Sequence, residues 1–427
     1  MDKSIFRNRI LPVFSAVIIS AIITSFGFLT WHYSNPNYII LSEEDIAKHE
    51  GLKKFNPKYA ITFDKNDVDY ENINKYSEIR NILNTYFYKE VDANQMLEGA
   101  IAGMADSLSD PYTVYYTKEQ MKEFNEKAHG SYVGIGVSVA MDNTGILTVM
   151  ETFEGSPAGD VGIMMGDKII AVDGEDVTNI RDDKIIVSMI KGKENTKVKI
   201  TVLRPAQGTY LDFDVMRKEI KVINLNSEIL QENIGYIKIT MFDSEIAKDF
   251  GTHLNDLIKG GIKGLIIDLR DNPGGDYSEV SAIADRLLPE GLIVYTEDRM
   301  GNREEKRSDP QELDMPIAIL VNEYSASASE VLSGAVKDHN KGKLIGTRTF
   351  GKGLVQAVID LKDGSGVKLT VARYFTPSGE CIHEKGIEPD IAVELDEKYQ
   401  GYAISQVPRE DDIQLDKAIE VIAEQIN

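Results

Sequence analysis

The amino-acid sequence predicts a multidomain α/β protein with one N-terminal transmembrane helix. The chain has 427 residues, which is the length of about three ordinary domains. An uncharged apolar run extends from Ile10 to Trp31, and a folded region with helices and short strands follows it. From residue 218 onward, apolar strands alternate with amphipathic helices, a pattern that indicates a mostly parallel sheet covered on both faces.

The composition excludes several classes of function. The hydrophobic fraction is 42% and the formal net charge is −22, which indicates a folded protein with a negative surface field. Such a field repels phosphate, so no nucleic-acid partner is expected. The single cysteine, Cys381, excludes an intrachain disulfide and a zinc site of several thiolates, and the six histidines include no HExxH pair. We expect no metal and no cofactor.

The apolar run is predicted to anchor the protein in a membrane. At about 1.5 Å per residue it reaches roughly 33 Å, enough to cross a hydrocarbon core. Basic residues precede it and acidic residues follow it, so the remaining chain is expected on the extracytoplasmic side of the cell membrane. A cleaved signal peptide is the alternative, but this run is longer than a signal-peptide core and no A-x-A-like site follows it. The predicted segments are a cytoplasmic N-terminus at 1–9, a single-pass signal anchor at 10–32 and a polar stalk at 33–66.

Three folded regions and a tail are predicted beyond the stalk. Apolar residues at helical spacing indicate a small helical domain, with a helix stop at Asp110–Pro111. Short strands with glycine-containing turns then indicate a β-rich module that includes one short helical stretch. The predicted regions are the N-terminal helical domain 67–129, the β-rich module 130–217, the α/β core 218–395 and the C-terminal helical tail 396–427.

The β-rich module begins with a glycine-rich loop, Tyr132-Val133-Gly134-Ile135-Gly136. Glycines before a strand often mark only a tight turn, but such a loop can also direct successive N–H groups at a terminal carboxylate. The strand that follows can pair with an extended peptide. A second motif, GSPAGDVGIMMGDKIIAVDG, is similar to a segment common in bacterial PDZ domains. With both motifs the module resembles a PDZ domain, which implies that the loop binds the C-terminus of a peptide.

Ser327 is a candidate nucleophile. It lies in the segment NEYSASASE, between an apolar strand and an amphipathic helix, and with Glu330 it has the S-x-x-E spacing of a capping box. A serine in this pattern is often only the N-cap of the helix. At a helix N-terminus, however, the dipole and the free N–H groups also favour a developing anion. The local pattern leaves both interpretations open.

A serine nucleophile needs a base, and Lys352 is the candidate. The chain has no G-x-S-x-G elbow, and no histidine lies near Ser327 in the sequence. Lys352 lies between two glycines, with Gln356 four residues later and therefore on the same side of a strand or a helix. A lysine becomes a base only where burial lowers its pKa, and it is otherwise a solvated loop residue. The apolar residues that provide such a setting are Phe350, Leu354, Val355 and Val358.

Two other strings have the S-x-x-K spacing of penicillin-binding enzymes, Ser188–Lys191 and Ser365–Lys368. Neither is accompanied by an S-D-N or a K-T-G partner, and the first falls inside the PDZ-like module. We interpret both as chance matches.

Several blocks together resemble the carboxyl-terminal processing peptidases, also called tail-specific proteases. They are DLRDNPGGDYSEV, VNEYSASASE and GTRTFGKGLVQ, with EGAIAGMADSLSDPYT upstream and YFTPSGECIHEKGIEPDI downstream. The blocks keep the order of the family over residues 75–395. The resemblance implies an α/β serine-protease core preceded by a PDZ domain.

The resemblance also implies roles for individual residues. Ser327 corresponds to the nucleophile, Lys352 to the general base and Gln356 to the residue that orients the lysine. An oxyanion hole is implied at the N–H of Ala328 and at a glycine of the Asn-Pro-Gly-Gly turn, where small residues let a carbonyl approach the backbone. Either Gly274 or Gly275 can be that glycine. The residues interpreted as scaffold are Arg270, Asn322 and Glu330.

The sequence thus predicts a membrane-anchored extracytoplasmic serine endopeptidase that cleaves proteins near or from their C-terminal end by a Ser–Lys dyad. The PDZ domain is expected to recognise that end and to gate activity, and the expected partners are protein or peptide substrates. A homodimer through the helical N-terminal segment and the C-terminal tail is a further expectation. The alternative is a non-catalytic PDZ scaffold on the same fold, which has no need of Ser327, Lys352 and Gln356 together. A PDZ-bearing trypsin-like protease lacks support, because no His/Asp/Ser set is recognisable.

Overall fold

The computed structural model describes residues 70–427, apart from residues 154, 400 and 427. The chain divides into two compact units between Ala100 and Ile101. In the first unit the described residues form helix α1 (Tyr70–Tyr86) and the first turns of helix α2 (Ala93–Asp106). No helix in the described part is long and apolar enough to span a bilayer. The predicted N-terminus, anchor and stalk at 1–9, 10–32 and 33–66 lie outside the described residues.

A β-rich module with its own core lies within the second unit. Five of its strands form an antiparallel sheet in the order β3-β4-β5-β7-β8, with the short β6 beside β5. Branched apolar side chains of this sheet and of helix α5 make a closed core, which agrees with the predicted module. The elements are β2 (Ser131–Gly134), β3 (Val137–Met141), β4 (Leu147–Thr152), α4 (Pro157–Val161), β5 (Lys168–Val172), β6 (Glu175–Asp176), α5 (Asp183–Ile190), β7 (Lys197–Arg204), β8 (Thr209–Met216) and β9 (Lys218–Lys221).

The edges of this module determine how it joins the rest of the chain. Strand β2 pairs with β9 instead of joining the larger sheet, so the chain enters and leaves the module side by side. Strand β3 pairs only with β4 among the described strands and is therefore an edge of its sheet. Its outer row of N–H and C=O groups is available to an added strand.

The predicted α/β core is present as a six-stranded sheet in the order β10-β11-β12-β15-β16-β19. Strands β11 to β19 of this sheet are parallel, and β10 is antiparallel at one edge. Strands β12 and β15 are completely buried, as expected for a parallel sheet covered on both faces. The elements are β10 (Leu225–Leu230), β11 (Ile234–Ile239), α6 (Ile246–Lys259), β12 (Gly264–Asp268), α7 (Tyr277–Leu287), β15 (Ile317–Val321), α8 (Ala328–Asp338), β16 (Gly342–Gly346), β19 (Ile391–Ala392) and α9 (Ile413–Ile426).

The helices cover the two faces of this sheet unequally. Helices α6, α7 and α8 pack on one face through residues such as Phe250, Ile283 and Leu332. Among the helices of residues 70–427, only α9 lies on the other face, where Ala418 and Ile422 are fully buried against strand residues. The predicted C-terminal tail is thus part of the core, and the apolar face of its helix is not free for a contact between two copies.

A second sheet is not anticipated by the sequence analysis. It is antiparallel, in the order β1-β18-β13-β14 with β17 beside β18. Strand β14 has the sequence REEKRS, which no hydrophobic pattern predicts as a strand and which forms by pairing with β13. The elements are β1 (Val114–Tyr116), β13 (Gly291–Asp298), β14 (Arg303–Ser308), β17 (Leu354–Asp360) and β18 (Gly366–Phe375).

Residues 114–128 belong with this second sheet, although the sequence assigned them to the helical domain 67–129. Strand β1 pairs with β18. Helix α3 (Lys118–Ala128) follows at once, and Thr117 and Gln120 form its capping box. The helical pattern of the sequence does not reveal this boundary, because the pairing partner of β1 is more than 200 residues away in the chain.

Candidate active site

Ser327 lies where strand β15 leads into helix α8, in a strained backbone conformation. Its φ is +57° and its ψ is −114°, a region that residues other than glycine rarely occupy. The predicted capping box forms only by half. Glu330 Oε2 accepts the N–H of Ser327 at 2.9 Å, whereas the Ser327 hydroxyl caps no backbone N–H. The hydroxyl is therefore held at the helix N-terminus without serving as the cap.

The two neighbouring serines are committed to structural hydrogen bonds. Ser325 Oγ donates to the carbonyl of Leu269 at 2.8 Å, and Ser329 Oγ donates to the carbonyl of Asn272 at 2.9 Å. Both serines are completely buried, whereas Ser327 is partly exposed. Only the middle serine of S-A-S-A-S thus combines solvent access with an uncommitted hydroxyl.

The Asn-Pro-Gly-Gly turn lies directly against Ser327. A Cβ on Gly274 would be 2.8 Å from Ser327 Cβ, and the φ of Gly274 is +104°. The N–H of Gly274 is occupied, because it donates to Asn272 Oδ1 at 2.9 Å. In the described part of the chain, the N–H groups of Gly275 and Ala328 donate to no protein acceptor. These two groups are the unused donors beside the serine.

Lys352 is held by close packing of the backbone on both sides. A Cβ on Gly351 would be 2.8 Å from the nitrogen of Gly386, and one on Gly353 would be 2.6 Å from the nitrogen of His383. The glycines that flank the lysine therefore let its loop lie against the segment 383–386. The N–H of Glu384 donates to the carbonyl of Gly351 at 2.8 Å and fixes this contact.

One buried carboxylate connects the serine and the lysine. Glu330 is completely buried, and its Oε2 accepts the N–H of Ser327 and also that of Lys352, at 2.9 and 2.8 Å. Its Oε1 accepts the Thr349 hydroxyl at 2.6 Å and the N–H of Gly351 at 2.7 Å. Burial raises the pKa of Glu330, and the four donors oppose that rise. Glu330, which the sequence suggests as a scaffold residue, thus binds the backbone N–H groups of both Ser327 and Lys352 directly.

The lysine side chain lies in an environment that disfavours its charge. Burial lowers the pKa of Lys352, and the nearby Lys368 lowers it further, whereas Glu330 and Asp110 act in the opposite direction. The Nζ atom lies 4.7 Å from the centre of the Tyr112 ring and forms no ion pair among the described residues. Of the predicted apolar neighbours, Leu354, Val355 and Val358 line the same cavity, whereas Phe350 is exposed.

A cavity of about 470 Å³ brings the predicted catalytic residues together. Ser327, Ala328, Lys352, Gln356 and Gly275 all line it. The structure has no hydrogen bond between Ser327 Oγ and Lys352 Nζ, and the amide nitrogen of Gln356 donates to Thr370 Oγ1 at 3.4 Å. The three side chains thus share one cavity without a hydrogen bond between any two of them in this conformation.

The predicted scaffold residues Arg270 and Asn322 lie beneath the site. Arg270 is completely buried and donates to Asp268 and Asp412, which ties the end of β12 to the segment before α9. Asn322 Nδ2 donates to Asp271 Oδ1 at 2.7 Å, and Asn322 Oδ1 accepts the N–H of Asp271. Both residues hold the loops that carry Ser327 and the glycine turn.

Of the predicted glycine-rich loop, Tyr132, Val133 and Gly134 lie in strand β2, and only Ile135 and Gly136 form a loop between β2 and β3. The carbonyls of Ile135 and Gly136 accept the N–H groups of Ala158 and Phe153, which fixes the loop. The N–H groups of the same two residues have no protein acceptor in the described chain. The loop also leads directly into the free edge strand β3.

Comparisons with known proteins agree with this architecture. The profile of peptidase family S41 matches residues 233–393, that of the PDZ domain matches 124–203, and that of the N-terminal domain of the activating protease CtpB matches 26–120. A probable CtpA-like serine protease of Staphylococcus aureus is 38% identical over 339 residues, which cover 78% of this chain and 67% of that protein. The carboxy-terminal processing protease CtpA of Bacillus subtilis is 37% identical over 77% of this chain and 70% of its own. The chain belongs to peptidase family S41.

The family membership makes this protein a serine-type peptidase of the carboxyl-terminal processing group, with a PDZ domain and an S41 protease domain. A solved photosystem II D1 C-terminal processing protease is 29% identical, covers 76% of this chain and 88% of its own, and superposes with a TM-score of 0.45. No group of three or more His, Cys, Asp and Glu side chains that could hold a metal occurs in the described part of this peptidase.

Three residues of the site are not predicted as functional residues by the sequence pattern. Tyr112 lies under the lysine, Lys368 lines the cavity, and the Tyr374 hydroxyl donates to the carbonyl of Ser327 at 3.0 Å. Tyr112 belongs to the DPYT block that the resemblance includes, so a signal existed there. Lys368 and Tyr374 lie on β18 and reach the site only because β17 and β18 pair.

Proposed function

We propose that this S41 peptidase is an endopeptidase that cleaves proteins near or from their C-terminal end with Ser327 as nucleophile and Lys352 as general base. One observation carries the proposal. The only uncommitted hydroxyl of the three serines shares a cavity with a lysine whose pKa burial lowers and which has no carboxylate partner among the described residues. A serine and a lysine without a role in catalysis would require neither a shared cavity nor a lysine with a lowered pKa.

The reaction divides into acylation and deacylation. Neutral Lys352 accepts the proton of Ser327 Oγ while Oγ forms a bond to the substrate carbonyl carbon. The C–N bond then breaks, the lysine gives its proton to the leaving amine, and an ester remains on Ser327. Water attacks this ester while Lys352 takes its proton, the C–Oγ bond then breaks, the lysine returns the proton to Ser327 Oγ, and the product leaves with its new carboxyl group. Gln356, on the same wall of the cavity, orients the lysine Nζ once it has turned toward the serine.

We assign the oxyanion hole to the N–H groups of Ala328 and Gly275. Both donors are unused, and both residues line the cavity beside Ser327. Gly274 is the less suitable donor, because its N–H is already held by Asn272. In this scheme Gly274 has a steric role, since only a residue without a Cβ leaves room for Ser327 at that distance.

The PDZ domain is proposed to bind the C-terminus of the substrate. The free N–H groups of Ile135 and Gly136 suit the terminal carboxylate, whereas Tyr132, Val133 and Gly134 lie in strand β2, pair with β9 and only lead into this loop. The preceding residues of the substrate would then add to the edge strand β3.

Gating by this domain is the second part of the proposal. The lysine Nζ lies over the Tyr112 ring and forms no hydrogen bond with Ser327 Oγ in the present conformation. The proposed gate is the movement that brings Nζ to the serine hydroxyl when a peptide occupies the PDZ domain.

An extracytoplasmic location and a membrane anchor at residues 10–32 remain part of the proposed function, on the sequence argument alone. The same holds for a homodimer. Among the predicted dimer surfaces, helix α1 keeps Ile79, Ile82 and Leu83 exposed, whereas the apolar face of helix α9 is buried in the core. The N-terminal helices are therefore the proposed contact.

The decisive experiment is cleavage of an unfolded protein that ends in apolar residues. We compare the chain from residue 38 onward with its Ser327→Ala, Lys352→Ala and Ser329→Ala variants. We expect hydrolysis in the parent, a loss of at least about 10³-fold in the first two variants, and no comparable loss of kcat in Ser329→Ala. Hydrolysis that survives Ser327→Ala contradicts the assigned nucleophile. Binding of the same tail by a parent without any hydrolysis supports the alternative, a non-catalytic PDZ scaffold.

A further inference from the structure

A second lysine of the active-site cavity has no part in the proposed mechanism. Lys368 lies on β18, between Val114 of β1 and Val358 of β17 in the sheet register. It lines the same cavity as Lys352 and is partly buried there. In the sequence it belongs to an S-x-x-K string without partner motifs, and in the structure it lines the cavity of the proposed base, whose pKa its charge lowers.

Aromatic rings hold this charge without neutralising it. Lys368 Nζ lies 5.7 Å from the centre of the Tyr116 ring and 5.9 Å from that of Phe124, and the two rings stack on each other at 5.3 Å. A ring face attracts a cation but carries no net charge, so its field at a distance remains that of the ammonium. Lys368 has no carboxylate partner in the described part of the chain. In a chain of net charge −22, such an unpaired cation is notable.

Both lysines are fixed by the same short segment. Tyr112 lies under Lys352 Nζ at 4.7 Å, and Tyr116, four residues later, lies under Lys368. The segment 112–116 thus presents two aromatic rings to two lysines within one cavity.

We propose that Lys368 is a positioning residue that acts through Lys352, keeping the general base uncharged by repulsion between two cations fixed on neighbouring aromatic rings. The proposal rests on the proposed role of Lys352 as the base. A like charge disfavours the protonated lysine, and this effect adds to that of burial. The charged groups that act in the opposite direction are Glu330 and Asp110. The other titratable groups close to this cluster are Tyr112, Tyr116, Lys127, Tyr374, His383 and Glu384.

The test compares pH profiles of kcat/KM for the parent, Lys368→Met and Lys368→Arg on a quenched-fluorescence peptide. Without the second cation, Lys352 keeps its proton up to a higher pH. The acidic limb of the kcat/KM profile of Lys368→Met should therefore lie at higher pH than that of the parent. We expect a loss of about tenfold at pH 7 that shrinks at alkaline pH, because only the fraction of neutral lysine changes. Lys368→Arg keeps the charge and should keep the limb where the parent has it.

The matched control is Lys127→Met. Lys127 lines the same cavity but is exposed and has no ring beneath it among the described contacts, so its removal should leave the position of the acidic limb unchanged. Thermal unfolding of each variant checks the fold, and Lys368→Gln replaces Lys368→Met if the latter does not fold. The rate of Ser327 labelling by a fluorophosphonate against pH gives a second profile that does not depend on peptide binding.

The proposal is overturned if the acidic limb of the Lys368→Met profile coincides with that of the parent. It is equally overturned if the acidic limb of Lys368→Arg is shifted as far as that of Lys368→Met. It is also overturned if Lys368→Met loses only the affinity for substrates with a carboxylate near the scissile bond, because Lys368 would then contact substrate. A parent that shows neither hydrolysis nor labelling sensitive to Ser327→Ala refutes the proposed function instead.

Discussion

At the residue scale, Glu330 holds the two proposed catalytic residues through one oxygen atom. Its carboxylate accepts four hydrogen bonds in a completely buried place, two of them from the N–H groups of Ser327 and Lys352. A side-chain amide in its place has one acceptor atom and one donor group, and the donor would face N–H groups that also donate. The distance between the serine and lysine loops therefore depends on the charge and shape of this carboxylate.

We expect Glu330→Gln to lose at least about 10²-fold in kcat and about 1–3 kcal/mol in the free energy of unfolding. Peptide hydrolysis and chemical denaturation measure the two losses. The control is Glu323→Gln, since Glu323 is exposed and accepts only the Thr347 hydroxyl at 2.9 Å. Unchanged kcat in Glu330→Gln would contradict the positioning role.

The lowered pKa of Lys352 has opposite consequences for stability and for activity. The folded chain binds the lysine proton less tightly than the unfolded chain, whose lysine keeps its ordinary pKa of 10.5. Below the pKa that Lys352 has in the folded chain, the buried ammonium lowers the free energy of unfolding by its full amount. Between that pKa and 10.5, the free energy of unfolding rises with pH. Activity follows the titration of the folded lysine alone, so it is half-maximal at the folded pKa and levels off about one pH unit above it, because the neutral lysine is the base.

Lys352→Met should therefore be inactive and at the same time more resistant to heat than the parent at neutral pH. The difference between their melting temperatures should shrink as the pH approaches 10.5. Thermal unfolding at several pH values measures it. A variant that melts lower than the parent at pH 7 would show that the ammonium is stabilised in the folded state, contrary to this account.

At the scale of elements, helix α9 is joined to the protease sheet by a buried ionic network. Arg270 donates to Asp268 and, through two bonds of 2.8 and 2.9 Å, to Asp412 just before the helix. Although burial opposes the charge of Asp268, the field and hydrogen bonds of Arg270 lower the pKa of that carboxyl. The ionised Asp268 carboxylate therefore stabilises the folded chain above pH 3.8, which is the pKa of this carboxyl in the unfolded chain. This stabilisation is lost as the pH falls and the carboxyl becomes protonated.

Asp412→Ala should lower the free energy of unfolding by about 2–4 kcal/mol, because it leaves the buried guanidinium with one carboxylate instead of two. Denaturation in urea measures this loss. Asp411→Ala is the matched control, since Asp411 is partly exposed and pairs with Lys398 at the surface, where such pairs contribute about 1 kcal/mol or less. Equal losses in the two variants would show that the network does not fix the helix.

At the scale of the whole molecule, one ion pair connects the PDZ domain to a wall of the active-site cavity. Lys191, at the end of helix α5, binds Glu126 of helix α3 at 2.9 Å, and its Nζ lies 5.0 Å from the centre of the Tyr132 ring. Helix α3 also contributes Phe124 to the cavity. These contacts thus link strand β2, which leads into the proposed peptide-binding loop, to helix α3, which lines the cavity of the proposed site.

We expect Lys191→Met to bind a peptide C-terminus as the parent does but to lose most of the stimulation of hydrolysis by that peptide. Peptide affinity is measured by fluorescence anisotropy and stimulation by the ratio of rates with and without peptide. Lys193→Met, two residues away and exposed, should keep the stimulation.

Deletion of residues 130–217 should abolish the stimulation by peptide, and unchanged cleavage after that deletion would refute gating. Because Ser131 pairs with Lys221, the linker that replaces residues 130–217 has to span only about the length of strand β9.

The sequence by itself determined the family, the β-rich module, the alternating core and the residues at the centre of the site. These features are local: Ser327 at a helix start, Lys352 between glycines and the Gly-Gly turn are each contained in a few consecutive residues. Only the tertiary structure decided which donors beside Ser327 are free, that Glu330 binds both loops, and that helix α9 covers the core sheet. It also placed Tyr112 under the Lys352 ammonium and Lys368 in the cavity, through strand pairing between segments more than 200 residues apart. The physical reason is that hydrogen-bond partners, burial and the field of a neighbouring charge arise from long-range packing, which no local pattern of residues encodes.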